Sequence, residues 1–148
     1  MQFPILVTLI ALITYQTLST LVSVARGKYK VVAPATTGNV NFERVYRTHL
    51  NYLENLVIFL PLVWIVQTKF NYNFLDNFNT AKFYLSVDTF YVAGSSIFVI
   101  TCLTWLVSKA LFSMAYINDW EFKIKLGFNI AASVCTLILF ILGIISLF

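Results

Sequence analysis

The stretch LGFNIAASVCTLILFILGIISL, residues 126–147, contains no charged side chain. A helix needs about 20 mainly apolar residues to cross the hydrocarbon core of a bilayer, and this stretch is long enough to do so. Three further stretches meet the same requirement, and they are Phe3–Val24, Phe42–Gln67 and Phe90–Tyr116. The sequence therefore predicts an all-α, integral membrane four-helix bundle.

The composition supports a membrane protein and excludes several other classes. Hydrophobic residues make up 59% of the 148 residues and charged residues only 11%, against about 25% charged residues in soluble domains. This length predicts one domain over residues 1–148. The basic residues form no aromatic-interleaved stripe, so we expect no nucleic-acid partner. Cys102 and Cys135 lie in apolar runs and are expected to be buried free thiols. His49, the single histidine, is expected to be packed or hydrogen-bonded. We therefore expect no metal site.

The connections between the spans differ in charge and composition. The positive-inside rule places the basic connections in the cytoplasm. The first and third connections, with the helix ends beside them, hold eight lysines and arginines: Arg26, Lys28, Lys30, Arg44, Arg47, Lys109, Lys123 and Lys125. The second connection has only Lys69 and Lys82. Its residues 70–89 are rich in asparagine and aromatics, which suits a short interfacial helix.

Polar residues recur along one side of the second span. Arg44, Arg47, Asn51 and Glu54 are spaced three, four and three apart, which predicts that they share a helical face. Glu43 is four residues before Arg47 and can pair with it. An ionisable group within a span costs about 3 kcal/mol on insertion scales. These groups therefore need partners, which are either each other, neighbouring helices or a polar ligand.

The other three spans place cations at the same cytoplasmic level. Arg26 ends the first span, and Lys109 precedes Tyr116 on the third. Lys123 and Lys125 open the fourth span. Lys109 alone could extend to the headgroups, and Tyr116 alone could be an interfacial aromatic. Together, the convergence favours an anionic ligand with carboxylates or a thiolate, and an internal ion-pair network is the alternative.

One part of the sequence resembles a known family. The similar segments are Ala25-Arg26-Gly27-Lys28-Tyr29-Lys30-Val31, Pro34, Thr36-Thr37-Gly38, and Phe42-Glu43-Arg44-Val45-Tyr46-Arg47 with Asn51 and Glu54. They resemble the MAPEG family, the membrane-associated proteins in eicosanoid and glutathione metabolism. The resemblance is tight over residues 25–54. It is nearest to the branch of type-two microsomal glutathione transferases and the cysteinyl-leukotriene-forming synthase.

The resemblance implies a function and an assembly. It implies a homotrimer in which glutathione, as a co-substrate, lies between neighbouring subunits near the cytosolic face. The implied activity is that of a glutathione transferase or peroxidase acting on a lipophilic electrophile or lipid hydroperoxide among membrane lipids. The implied location is the endoplasmic reticulum membrane in a eukaryote, or the inner membrane in a bacterium.

The resemblance also implies roles for single residues. Arg47 should bind a glutathione carboxylate, which a planar guanidinium does well. Asn51 should form hydrogen bonds with the tripeptide backbone, and Glu54 should bind the ligand's ammonium group. Arg26, from the adjacent subunit, should bind another carboxylate.

The third and fourth spans depart from the family pattern. In the family motif G-R-x-x-Y-x-x-G-Y, Lys109 replaces the arginine, Phe112 replaces the first tyrosine and Tyr116 matches the second. Lys109 and Tyr116 remain expected glutathione ligands. The catalytic arginine that opens the fourth helix is missing, and Lys123 is the nearest cation by spacing, with Lys125 as the alternate. This loss keeps open a non-catalytic lipid-binding partner, as in the five-lipoxygenase-activating branch, although the retained ionic residues of the second helix favour the enzyme.

Overall fold

Four long helices form the architecture. The structure, a computed structural model, describes the backbone of residues 2–70 and 88–145 and the side chains of residues 3–68 and 96–145. These residues form α1 (Gln2–Tyr29), α2 (Val40–Phe70), α3 (Asp88–Ile117) and α4 (Phe122–Ile145). Each helix is long and apolar enough to cross a membrane, which confirms the predicted fold class. The predicted interfacial helix falls largely on residues 71–87, which lie outside the described residues.

Two helix ends differ from the predicted bounds by four or five residues. α1 continues beyond Val24 to Tyr29, and α4 begins at Phe122 instead of Leu126. Both added segments carry lysine or arginine, which the requirement for an apolar span excludes. A helix can continue into the headgroup zone once its apolar part is complete, because its backbone hydrogen bonds are internal. Lys123 and Lys125 therefore lie in the first turn of α4.

α1 and α3 both end in a left-handed residue that is not glycine. Lys30 has a φ of 55°, and the Val31 N–H donates to the Arg26 carbonyl at 3.1 Å. Asp119 also has a φ of 55°, and the Trp120 N–H donates to the carbonyl five residues earlier at 2.9 Å. Both ends are Schellman motifs, which satisfy the last carbonyls of a helix.

The start of α2 is capped by the loop before it. The Asn39 side-chain oxygen accepts from the backbone N–H groups of Asn41 and Phe42 at 2.9 and 3.4 Å, as an N-cap does. The Glu43 carboxylate accepts from the Gly38 N–H at 2.9 Å. Glu43 thus fixes the entry to α2, and the predicted pairing with Arg47 is absent from the described residues.

α2 packs against each of the other three helices of the bundle. The Phe59 ring stacks on Trp105 of α3 at 3.7 Å between centroids and 2° between planes. Tyr52 is also buried against Trp105, and its hydroxyl donates to the Ala11 carbonyl of α1 at 3.2 Å. These contacts fix the rotation of α2 and therefore the direction of its polar face.

Candidate functional site

The polar face of α2 lines a cavity against α3. The first cavity has a volume of about 310 Å³, and its lining residues are Arg47, Thr48, Leu50, Asn51, Glu54, Phe112 and Tyr116. Arg47 and Glu54 are exposed and Asn51 is half-buried. Among the described residues, neither the Arg47 guanidinium nor the Glu54 carboxylate forms a hydrogen bond or ion pair. The charge of Glu54 interacts with that of Lys109, but the hydrogen-bonding atoms of both Arg47 and Glu54 remain available to a ligand.

Arg44 is separated from the other three residues of the predicted stripe. It lines a second cavity of about 440 Å³, whose lining residues are Arg44, Phe112, Tyr116, Asp119, Phe122, Lys125, Leu126 and Asn129. Its guanidinium donates to the Asp119 carboxylate at 2.7 Å. Arg44 still lies within about 20° of Asn51 around the helix axis, because seven residues are close to two full turns. It is about 10 Å from Asn51 along that axis, and it lines the cavity on the other side of Phe112 and Tyr116, which line both cavities.

Asp119 joins α2 to α4 at the end of the bundle that carries Arg44 and Lys125. Its second oxygen accepts from the Lys125 ammonium at 3.1 Å. The hydrogen bond from Lys125, together with the charge of Arg44, holds the pKa of the Asp119 carboxyl below its usual range. Asp119 is therefore ionised at neutral pH. Sequence reasoning identified both cations but missed Asp119, because the turn that carries it shows no periodic pattern.

Lys109 lies between the two cavities and is fully buried. Its ammonium donates to Asn51 Oδ1 at 3.3 Å and to Asn129 Oδ1 at 3.0 Å. The structure thus brings Lys109 to the predicted site, but behind Asn51 and not among the residues that line the first cavity. Asn129 was missed by sequence reasoning. The available signal was that a buried ammonium needs partners and that α4 carries one amide in its apolar part.

Other predicted residues lie away from the first cavity. The Arg26 guanidinium donates to the Ala35 carbonyl at 2.7 Å and lies 4.9 Å from the centroid of the Phe42 ring. Lys123 is exposed and lines neither cavity; in the part of the chain that the structure describes, it has no ion-pair partner. The roles of Arg26 toward an adjacent subunit and of Lys123 in catalysis stay predictions.

Three residues with predicted packing roles are found in packed positions. His49 stacks on Tyr15 of α1 at 4.9 Å between ring centroids. Cys102 and Cys135 are both buried. None of the three lines either cavity, so the candidate chemistry lies with the cationic and amide groups around Phe112 and Tyr116.

The first cavity combines three kinds of ligand-binding group. Arg47 offers a bidentate donor for a carboxylate, and Glu54 offers an acceptor for an ammonium group. Asn51 offers an amide whose oxygen is already engaged by Lys109, which leaves its N–H groups to donate. The arrangement fits a small zwitterion that contains peptide groups.

Comparison with known proteins identifies the family. Residues 4–78, just over half of the chain, match the MAPEG family. The chain belongs to the MAPEG family. As a MAPEG protein with four spanning helices, it is an integral, multi-pass membrane protein. The family match contains α1 and α2, and so it contains Arg47, Asn51 and Glu54 but none of the α3 and α4 residues of the site.

Several known proteins are similar to this chain over part of their length. An uncharacterized protein of Synechocystis is 49% identical over 63 residues, which are 43% of this chain and 46% of the relative. Human microsomal glutathione S-transferase 2 is 47% identical over 47 residues, 32% of each chain. Bovine leukotriene C4 synthase is 35% identical over 65 residues, 44% of this chain and 43% of the relative. The chain thus spans less than half the length of each of these relatives.

Proposed function

We propose that this protein is a membrane-bound glutathione transferase. The observation that carries the proposal is the first cavity, where an exposed guanidinium, an oriented amide and an exposed carboxylate lie on one face of α2. Glutathione offers carboxylates for Arg47, peptide groups for Asn51 and an ammonium group for Glu54. The names of two similar proteins, a microsomal glutathione S-transferase and a leukotriene C4 synthase, support the same ligand class and a transfer reaction.

Lys109 supports binding through Asn51. Its ammonium donates to Asn51 Oδ1, so it orients the Asn51 amide. The Asn51 N–H groups then face the cavity as donors to a peptide carbonyl. Tyr116 is half-buried at the wall of the cavity and can offer its hydroxyl to the same ligand.

The chemistry would be activation of the glutathione thiol. A free thiol has a pKa of about 8.5 and is mostly protonated at neutral pH. A nearby cation stabilises the thiolate, and each unit of pKa lowering corresponds to about 1.4 kcal/mol. The thiol proton passes to solvent, the sulfur forms a bond to carbon of a lipophilic electrophile, and the leaving group departs. With a lipid hydroperoxide, the thiolate would instead attack the terminal peroxide oxygen, the O–O bond would break, and the lipid would leave as an alcohol after taking up a proton. The resulting glutathione sulfenic acid would react with a second glutathione to give glutathione disulfide and water.

Lys123 is the proposed source of that cation. Lys125 is engaged with Asp119, whereas Lys123 is exposed without an ion-pair partner in the described part of the chain. A lysine ammonium is more strongly hydrated than a guanidinium. We therefore expect slower turnover than in a relative that has arginine at this position.

One observation favours a second candidate, a non-catalytic lipid-binding partner. No arginine follows Arg47 in this sequence, so the family's usual thiolate-stabilising group is absent. In that case the first cavity would still bind a ligand, but no conjugate would form.

The test is conjugation of glutathione with chlorodinitrobenzene by the detergent-purified protein. The transferase proposal predicts turnover above the solution rate, with at least a tenfold loss in Lys123→Met. Lys28→Met is the matched control, because Lys28 is an exposed cation at the end of α1 that lines neither cavity. If Lys125→Met loses turnover and Lys123→Met does not, the catalytic role belongs to Lys125. Wild-type protein that binds glutathione but forms no conjugate would contradict the transferase and support the lipid-binding partner.

A further inference from the structure

The second cavity lies outside the proposed glutathione site but shares a wall with it. Phe112 and Tyr116 separate the two cavities. Arg44 of α2 and the turn that carries Asp119 form one side, and the first two turns of α4 form the other. The cavity of about 440 Å³ is large enough for a ligand of several heavy atoms.

The charges at this cavity do not balance. Arg44 and Lys125 each carry one positive charge, and the single Asp119 carboxylate pairs with both. One unit of positive charge is left over among the groups that line the cavity. An anion that reaches the cavity would therefore meet a net positive charge among the lining groups.

The amide at this cavity also favours an anion. Asn129 lines the cavity, and its Oδ1 accepts from the buried Lys109 ammonium at 3.0 Å. With that oxygen engaged, the part of the Asn129 side chain that remains for a ligand is its NH₂ group, which donates only. Arg44, Lys125 and Asn129 thus contribute donors, and no further carboxylate lines the cavity among the described residues.

The remaining lining is apolar and opens at the membrane surface. Phe122 and Leu126 of α4 are 73% and 43% exposed, at the helix end where lysines and arginines place the headgroup level. Phe112 continues this apolar lining toward the bundle interior, where it is 8% exposed. A ligand here would meet donors on one side and aromatic or aliphatic groups on the other.

We propose that the second cavity binds an anionic amphiphile, with a single carboxylate or phosphate group toward Arg44, Lys125 and Asn129 and an apolar chain along Phe122 and Leu126. The proposal goes beyond the transferase function and does not depend on it. The anion can belong to a free fatty acid or to a phospholipid headgroup, which offer the same chemistry to these residues.

The test is calorimetric titration of decanoate, below its micelle concentration, into the full chain in non-ionic detergent. Empty detergent micelles supply the blank, and decanol, which has the same chain without the charge, supplies the ligand control. We expect saturable binding of decanoate and much weaker binding of decanol. Equal affinity for both ligands, or no saturable decanoate binding, would overturn the proposal.

Two substitutions give opposite expected signs. Lys125→Met removes the excess positive charge and should weaken decanoate binding about three- to tenfold, whereas Asp119→Asn adds one unit of positive charge and should strengthen it by a similar factor. If Arg44, Asp119 and Lys125 only stabilised the fold, both variants would bind decanoate more weakly. Weaker decanoate binding by Asp119→Asn therefore contradicts the proposal. Lys28→Met should leave the affinity unchanged. Thermal denaturation of each variant checks that it remains folded.

The source of the anion is resolved with lipid nanodiscs. If phosphatidylglycerol nanodiscs abolish decanoate binding and phosphatidylcholine nanodiscs do not, the occupant is an anionic lipid headgroup. If decanoate binds equally well in both, the occupant is a free acid. Either result supports an anion site, and loss of binding in both kinds of nanodisc overturns it.

Discussion

Removing Asn129 should expose the cost of the buried Lys109 ammonium. In the wild type, Lys109 is fully buried and donates to Asn51 and Asn129. Asn129→Leu removes the shorter of these two hydrogen bonds and puts an apolar side chain beside the charge. A hydrogen bond to a charged group contributes about 1.5–3 kcal/mol, so we expect the free energy of unfolding to fall by about 2 kcal/mol.

The assay is thermal denaturation in one detergent, followed by far-ultraviolet circular dichroism. For a chain of this length, a loss of about 2 kcal/mol corresponds to a midpoint about 4–8 °C lower. Ser133→Ala is the matched control, because Ser133 lies on the same helix and its exposed hydroxyl donates only to the Asn129 backbone carbonyl. This control should change the midpoint by less than about 2 °C.

A double substitution separates the charge effect from packing. Replacing both partners of a buried polar contact with apolar groups costs less than leaving one unsatisfied. Lys109→Met combined with Asn129→Leu should therefore be more stable than Asn129→Leu alone. A midpoint for Asn129→Leu equal to that of Ser133→Ala, or no recovery in the double variant, would show that Asn129 does not stabilise the buried ammonium.

Three further predictions concern stability. The hydrogen bond from Lys125 holds the pKa of Asp119 below its ordinary value of 3.8. The contribution of the ionised carboxylate to stability is therefore fully present above pH 3.8 and is lost as the pH falls through the lowered pKa. The difference in melting midpoint between wild type and Asp119→Asn should accordingly shrink on acidification. Lys30→Gly removes the strain of a left-handed lysine backbone and should raise the melting midpoint by the equivalent of about 1 kcal/mol. Lys28→Gly, within α1, should lower the midpoint by a similar amount. A midpoint change of the same sign in both variants would contradict this prediction. Phe59→Ala, at a fully buried position, should cost about 3–5 kcal/mol in denaturation, and a loss below about 1 kcal/mol would show that the stacking of Phe59 on Trp105 does not support the core.

The four spans followed from the sequence because crossing a bilayer requires long apolar stretches. The predicted end of α1 and the predicted start of α4 were less accurate, because the residues there include lysine and arginine, which lie outside the apolar pattern. The end of α1 at Lys30 had no glycine to mark it. A left-handed lysine is fixed by the Schellman hydrogen bond to Arg26, and no periodic pattern signals that contact.

The candidate site was predictable where one helix carries it. Arg47, Asn51 and Glu54 are close in sequence, so helical spacing alone placed them on one face, and the structure brings them to one cavity. The partners of Lys109 and Arg44 come from α4 and from the turn before it. Such contacts depend on how the helices rotate against one another, and a pattern along a single helix does not contain that information.

Calorimetry tests directly whether the polar face of α2 binds glutathione. Glutathione would be titrated into detergent-purified wild type, Arg47→Met and the control Lys28→Met. We predict saturable binding in the wild type and the control, and at least a tenfold weaker affinity in Arg47→Met. The absence of saturable binding in folded wild-type protein, or equal affinity in Arg47→Met, would contradict it.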